Sequence, residues 1–82
     1  METIERPGTS EQKAFLAEIG RGGIELDDDY AVSLGTSVCT VAEANGAATA
    51  RDYTKPMLQA ATGKTPTDAQ VRTFVTASTR LC

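Results

Sequence analysis

Residues 65–82 read TPTDAQVRTFVTASTRLC. Val71, Phe74, Val75, Ser78, Leu81 and Cys82 fall at i, i+3, i+4, i+7, i+10 and i+11. That spacing is one face of an α-helix. Thr65-Pro66-Thr67-Asp68 supplies a start for it. Thr65 is expected to cap, Pro66 to take the first helical position, and Asp68 to reach back as the third. Arg72 and Arg80 lie off the apolar face, and Arg80 suits the negative end of the helix dipole. The face finishes on a cysteine. The other cysteine, Cys39, lies at the shoulder of a second apolar helical stripe.

Upstream of this helix the punctuation is helical throughout. Residues 1–8 are polar, contain Pro7-Gly8, and read as a flexible lead-in to a single domain at 9–82. Thr9 with Gln12 is a capping-box pattern, and Phe15, Leu16 and Ile19 follow on a helix at about 10–20. Gly20-Arg21-Gly22-Gly23 stops it. Ile24 and Leu26 read as an extended connection tucked under the domain. Asp27-Asp28-Asp29 opens the second helix, expected from about Asp28 to Ala44, as a cap plus dipole-compensating acids. The triplet lacks the alternate spacing, central Gly and closing Glu of a calcium loop. Tyr30, Leu34, Val38, Val41 and Ala42 are the expected buried stripe, with Ala31 and Cys39 beside it. Gly35 lies in this helix at a propensity cost of about 1 kcal/mol relative to Ala, which suits close approach of another helix. Asn45-Gly46 ends it. Between 47 and 54 the pattern is weakest. Thr49 with Asp52 offers a cap, and Pro56 interrupts. The segment reads as a kinked helix at 50–62, or as a turn followed by a helix from Pro56 to Thr62. Met57, Leu58 and Ala61 are its expected inward residues, and Gly63 closes it. With no strand-like alternation, the fold class is all-α, a compact bundle of about four short helices.

Eighty-two residues support a thin core; a chain of this size buries only about 60–65% of its unfolded surface. Apolar residues make up 40%, with no Trp, two Phe and two Tyr. A covalent staple is valuable in such a domain. The net charge of −3 and pI near 4.7 argue against nucleic acid as a partner. Residues 1–45 carry nine acids and three bases, and residues 46–82 two acids and five bases. The halves fold against each other, or form a bipolar surface that pairs with a partner or a second copy. No apolar run reaches the roughly 18 residues a membrane-spanning helix needs. Glu2 and Glu5 after Met1 are the opposite of a secretory leader. The chain therefore reads as a mature exported domain given a new Met1, or as an intracellular chain with two thiols.

Cys39 and Cys82 are expected to form one disulfide that staples the last helix onto the second, closing a loop of about 44 residues and contributing roughly 4 kcal/mol as an upper figure. Two buried thiols, or a metal or redox role, are the alternatives. Two thiols with no His make no standard zinc site unless a carboxylate helps. Their separation excludes a Cys-x-x-Cys redox motif.

Phe15-Leu16, Gly23-Ile24, Leu34-Gly35 with Val38-Cys39, then Gln70, Phe74-Val75, Ala77 and Cys82 occur in an order that resembles a known family. This is the actinobacterial, chiefly mycobacterial, family of small exported helical proteins called domain of unknown function 732. The resemblance covers about residues 14–82. Leu81 stands where an aromatic residue is usual. The resemblance implies a helical domain behind a signal peptide or lipoprotein anchor, with these two cysteines joined. Bacteriophages of the same hosts carry such genes, so a phage origin is also open.

The chemistry on offer is narrow. Without His the commonest general base is missing, and no enzymatic role is expected. Ser33 and Ser37 read as a polar flank of the second helix. Gly20–Gly23 and Gly63-Lys64-Thr65 lack the strand and glycine spacing of a phosphate loop. Tyr30 and Tyr53 read as core or rim residues rather than haem ligands. No cofactor is expected. The leading functional expectation is an interaction module, secreted or in the cell envelope, with a protein partner or self-association. A lipid or haem carrier and a phage-encoded cytoplasmic regulator with reduced thiols are the alternatives.

Overall fold

The computed structural model describes residues 9–82; the lead-in expected at 1–8 and the side chain of Thr9, with its capping box, lie outside the description. The first helix, α1, spans Thr9–Arg21. Gly22 follows as its cap and Gly23 turns left-handed at φ 80°. The Ile24 amide then donates to the Ile19 carbonyl at 3.0 Å, and the Gly23 amide to the Gly20 carbonyl at 3.0 Å. This pair of bonds is a Schellman motif, and its apolar ends, Ile19 and Ile24, are both buried in the core. The glycine stop read from the sequence is therefore a defined cap.

The second helix, α2, spans Asp28–Asn45. Asp27 caps it, accepting from the Tyr30 amide at 3.4 Å, with Asp28 and Asp29 in the first turn. Its buried stripe is Ala31, Leu34, Gly35, Val38 and Cys39. This corrects the expected stripe: Tyr30 is 40% exposed, and Val41 and Ala42 are only half-buried. The helix is rotated so that three small residues, Ala31, Gly35 and Cys39, face the core one turn apart.

Gly46, at φ 92°, joins α2 directly to the third helix, α3, at Ala47–Thr62. This is another correction. The helix starts earlier than residue 50, Thr49 and Asp52 form no cap, and Pro56 lies inside an unbroken helix. Pro56 removes the N–H that would bond the Asp52 carbonyl. Both residues are exposed, so water can take that carbonyl. Ala50, Thr54 and Leu58 form the buried face; Met57 is half-buried, while Ala61, expected inward, is exposed. The buried Thr54 hydroxyl donates to the Ala50 carbonyl at 2.7 Å. Gly63, left-handed at φ 74°, closes the helix.

The fourth helix, α4, spans Asp68–Ser78 and tightens into a 3-10 turn at Thr79–Leu81. Its cap is Thr67, two residues later than expected. Proline disfavours helix at the residue before it, Thr65, whereas Thr67 and Gln70 complete a capping box. Gln70 N–H donates to Thr67 Oγ1 at 3.0 Å, and Thr67 N–H to Gln70 Oε1 at 2.9 Å. Pro66 is buried just before the cap, and Val71 is buried four residues into the helix. These are the positions of a hydrophobic staple.

α2 and α4 form the central pair. α1 packs on both of them, as does α3, while α1 and α3 make no close backbone approach to each other. Phe15 of α1 and Phe74 of α4 meet edge to face, with ring centroids 5.4 Å apart, and both are fully buried. Leu58, Val38 and Ala50 fill the space around them. The buried Ser78 hydroxyl is satisfied by the Phe74 carbonyl at 2.7 Å. No described helix is long and apolar enough to cross a membrane.

Candidate functional site

The terminal turn is held against the bundle at three places. Cys82 is joined to Cys39 by a disulfide with a Cα–Cα distance of 6.2 Å, within the range such a bond requires. Leu81 lies over Gly35, one helical turn before Cys39. A methyl group at Gly35 would sit 2.7 Å from Leu81 Cδ1 and 2.7 Å from Phe15 Cζ. Gly35 thus lets the terminal turn and the α1 ring reach the backbone of α2 together, the close approach its place in the helix suggested. Arg80 Nε donates to Glu18 Oε1 at 2.9 Å, linking the same turn to α1. That pair is half-exposed at Arg80 and less so at Glu18, and a surface pair of this kind contributes at most about 1 kcal/mol. The sequence placed Cys39 beside an apolar stripe and Cys82 on one. Cys39 is buried, whereas Cys82 is exposed, because the 3-10 turn carries it past the end of the apolar face.

A second feature gathers where α2 begins. Leu26, Tyr30, Ala60 and Ala61 line an open depression of about 460 Å³ rimmed by Glu25 and Asp27. Asp28 and Asp29 follow on the exposed first turn of α2. The acidic cluster therefore caps a helix and surrounds an exposed ring. Sequence reasoning treated Tyr30 as core, and so missed this surface. The signal available was its place in the first turn, directly after three solvated acids.

A third feature joins α1 to α4. Gln70 Nε2 donates to the Gly22 carbonyl at 3.2 Å and to the Gly23 carbonyl at 3.4 Å, while its Oε1 serves the capping box. Gln70 also lines a depression of about 210 Å³ with Ile24, Leu58, Lys64 and Glu25. Between α3 and α4, Arg51, Lys55 and Arg72 share a further depression with Asp52 and Asp68. There three of the five bases of the second half are offset by its only two acids.

The remaining sequence candidates are structural. Ser37 donates to the Ser33 carbonyl at 3.3 Å, back along its own helix. The Gly20–Gly23 segment and Gly63-Lys64-Thr65 are helix stops. Tyr53 is half-buried at the edge of the core.

A family profile described as Protein of unknown function (DUF732) matches residues 11–82. The chain belongs to that family. The DUF732 match takes in most of α1, all of α2, α3 and α4, and both cysteines. No curated protein and no solved structure matches the chain significantly. The DUF732 profile thus establishes the kind of domain without bringing an activity.

Proposed function

We propose that this DUF732 domain is a non-enzymatic interaction module, working outside the cytosol, whose contact surface is the Tyr30 face. The observation that carries the reading is Tyr30 itself. It is the exposed large hydrophobic residue among those described, and it stands among apolar side chains inside an acidic rim. Tyrosine buries much contact area at low conformational cost and is enriched at interface hot spots. The rim selects a partner whose matching face is basic. The disulfide supports an exported setting, because such bonds persist in oxidising compartments. An actinobacterial cell envelope is the setting that fits the resemblance.

The filled core speaks against a lipid or haem carrier. Such a site needs an apolar cavity of about 300 Å³ or more. The space between these helices is taken by Phe15, Phe74, Leu58 and Val38, and the depressions described above open on the surface.

The test is a comparison of baits. Tyr30→Ala should leave melting within about 0.5 kcal/mol of wild type, as expected for an exposed side chain. A partner cross-linked to wild type from an envelope fraction should be lost with Tyr30→Ala. Recovery of the same partner by both baits would overturn the Tyr30 face as the contact. Sedimentation of the purified protein would separate self-association from a foreign partner.

A further inference from the structure

We infer that the disulfide conceals a metal site. On reduction, Cys39, Glu43 and Cys82 take one thiophilic divalent cation of the zinc class, which replaces the sulfur–sulfur bond as the staple. This does not rest on the interaction reading.

Cys39 and Glu43 are four apart on α2 and so share a face. The terminal turn brings Cys82 to the same place. One ligand atom from each of the three residues lies within 4.8 Å of the others. A tetrahedral zinc ion with Zn–S near 2.3 Å and Zn–O near 2.0–2.2 Å sets ligand atoms about 3.5–3.8 Å apart. The three atoms are therefore gathered within about an ångström of the spread such an ion needs. The sulfurs need to separate by only about 1.7 Å from bonding contact, a movement open to side-chain rotation. Among the described residues no salt bridge engages the Glu43 carboxylate. Cys39 is buried, while Glu43 and Cys82 are exposed. That leaves an entry path and a fourth position for water. The site need not scatter when the covalent bond opens, because Leu81, packed over Gly35, still holds the terminal turn. Two thiolates with one carboxylate favour zinc or cadmium over magnesium or calcium.

The chemistry balances with a dithiol as reductant. It delivers two electrons and two protons, converts the disulfide to two thiols, and is itself oxidised to a disulfide. The cation then displaces both thiol protons, so binding tightens as pH rises. The same pair of cysteines would thus staple the domain in either redox state.

Cd²⁺ and Zn²⁺ titrations of the reduced protein test this, read by thiolate-to-cadmium absorption, by competition with a chromophoric chelator, and by circular dichroism. The expected result is one equivalent bound by reduced protein and none by oxidised protein. Glu43→Gln should weaken binding at least about tenfold, the scale at which even a supporting group's loss is felt. Its oxidised melting point should stay at the wild-type value. If reduction unfolds the chain, metal should restore the helical signal in wild type and fail to do so in Glu43→Gln at matched concentration. Binding by reduced wild type no tighter than by the Cys39→Ser/Cys82→Ser double variant would overturn the site. So would equal affinity in Glu43→Gln.

Discussion

Gly35 shows how much one missing methyl group controls. Its hydrogen faces Leu81 and the fully buried Phe15 ring, each 2.7 Å from where a Cβ would stand. Alanine would improve helix propensity by about 1 kcal/mol. The same methyl would have to displace a ring in a filled core, at a cost of about 1–3 kcal/mol. Leu81 can swing aside; Phe15, pinned against Phe74, cannot. Gly35→Ala should therefore be destabilising by about 1 kcal/mol in chemical denaturation. A variant more stable than wild type would show that the packing at this point is looser than described. Gly35 was legible in the sequence as a point of close approach, since a glycine in mid-helix needs a reason. What approaches it was not legible, because neither Phe15 nor Leu81 is near it along the chain. Tyr30 failed at the same scale: an amphipathic ring suits either side of a helix, and periodicity alone placed it inward.

The helices were readable largely from their ends. Asp27, Asn45-Gly46, Gly63 and the glycines after α1 all act as terminators or caps where the sequence put them. The errors came where two local signals competed. Thr65-Pro66 looks like a start, yet Thr67 with Gln70 satisfies two amides reciprocally and wins. Pro56 looks like a break. The burial of Ala50, Thr54 and Leu58 on one continuous face outweighs the single bond it removes. Gln70 makes the energetic point testable. It closes the box on α4 and donates to the end of α1. Gln70→Ala should cost about 1–2 kcal/mol. Gln70→Glu keeps the acceptor for the box but loses the donor to Gly22 and Gly23, so it should retain part of that stability. Unfolding curves in urea distinguish the two variants. Equal losses would mean that the box is the minor part.

For the whole molecule, the covalent link joins the central helix α2 to the far end of the chain, 43 positions away. A domain this small has about 5 kcal/mol in total, and such a bond contributes about 2–4 kcal/mol. Cys39→Ser and Cys82→Ser should each lose that amount, and the double variant no more than either. Additive losses in denaturation would argue against a shared contribution. Protein from its native source should weigh two hydrogens less than the reduced chain; the full reduced mass would favour a cytoplasmic, phage-encoded regulator. The composition made the need for a staple legible, and the even cysteine count made the pairing plausible. The Tyr30 surface was not legible as a whole, since it combines the start of α2 with Ala60 and Ala61 near the end of α3. Because the second sulfur belongs to residue 82, a nascent chain emerging amino end first must hold its earlier helices together by packing alone until that residue clears. The bond then acts as a latch on an assembled body, not as a guide to its assembly. It should lengthen the lifetime of the finished domain far more than it hastens its formation.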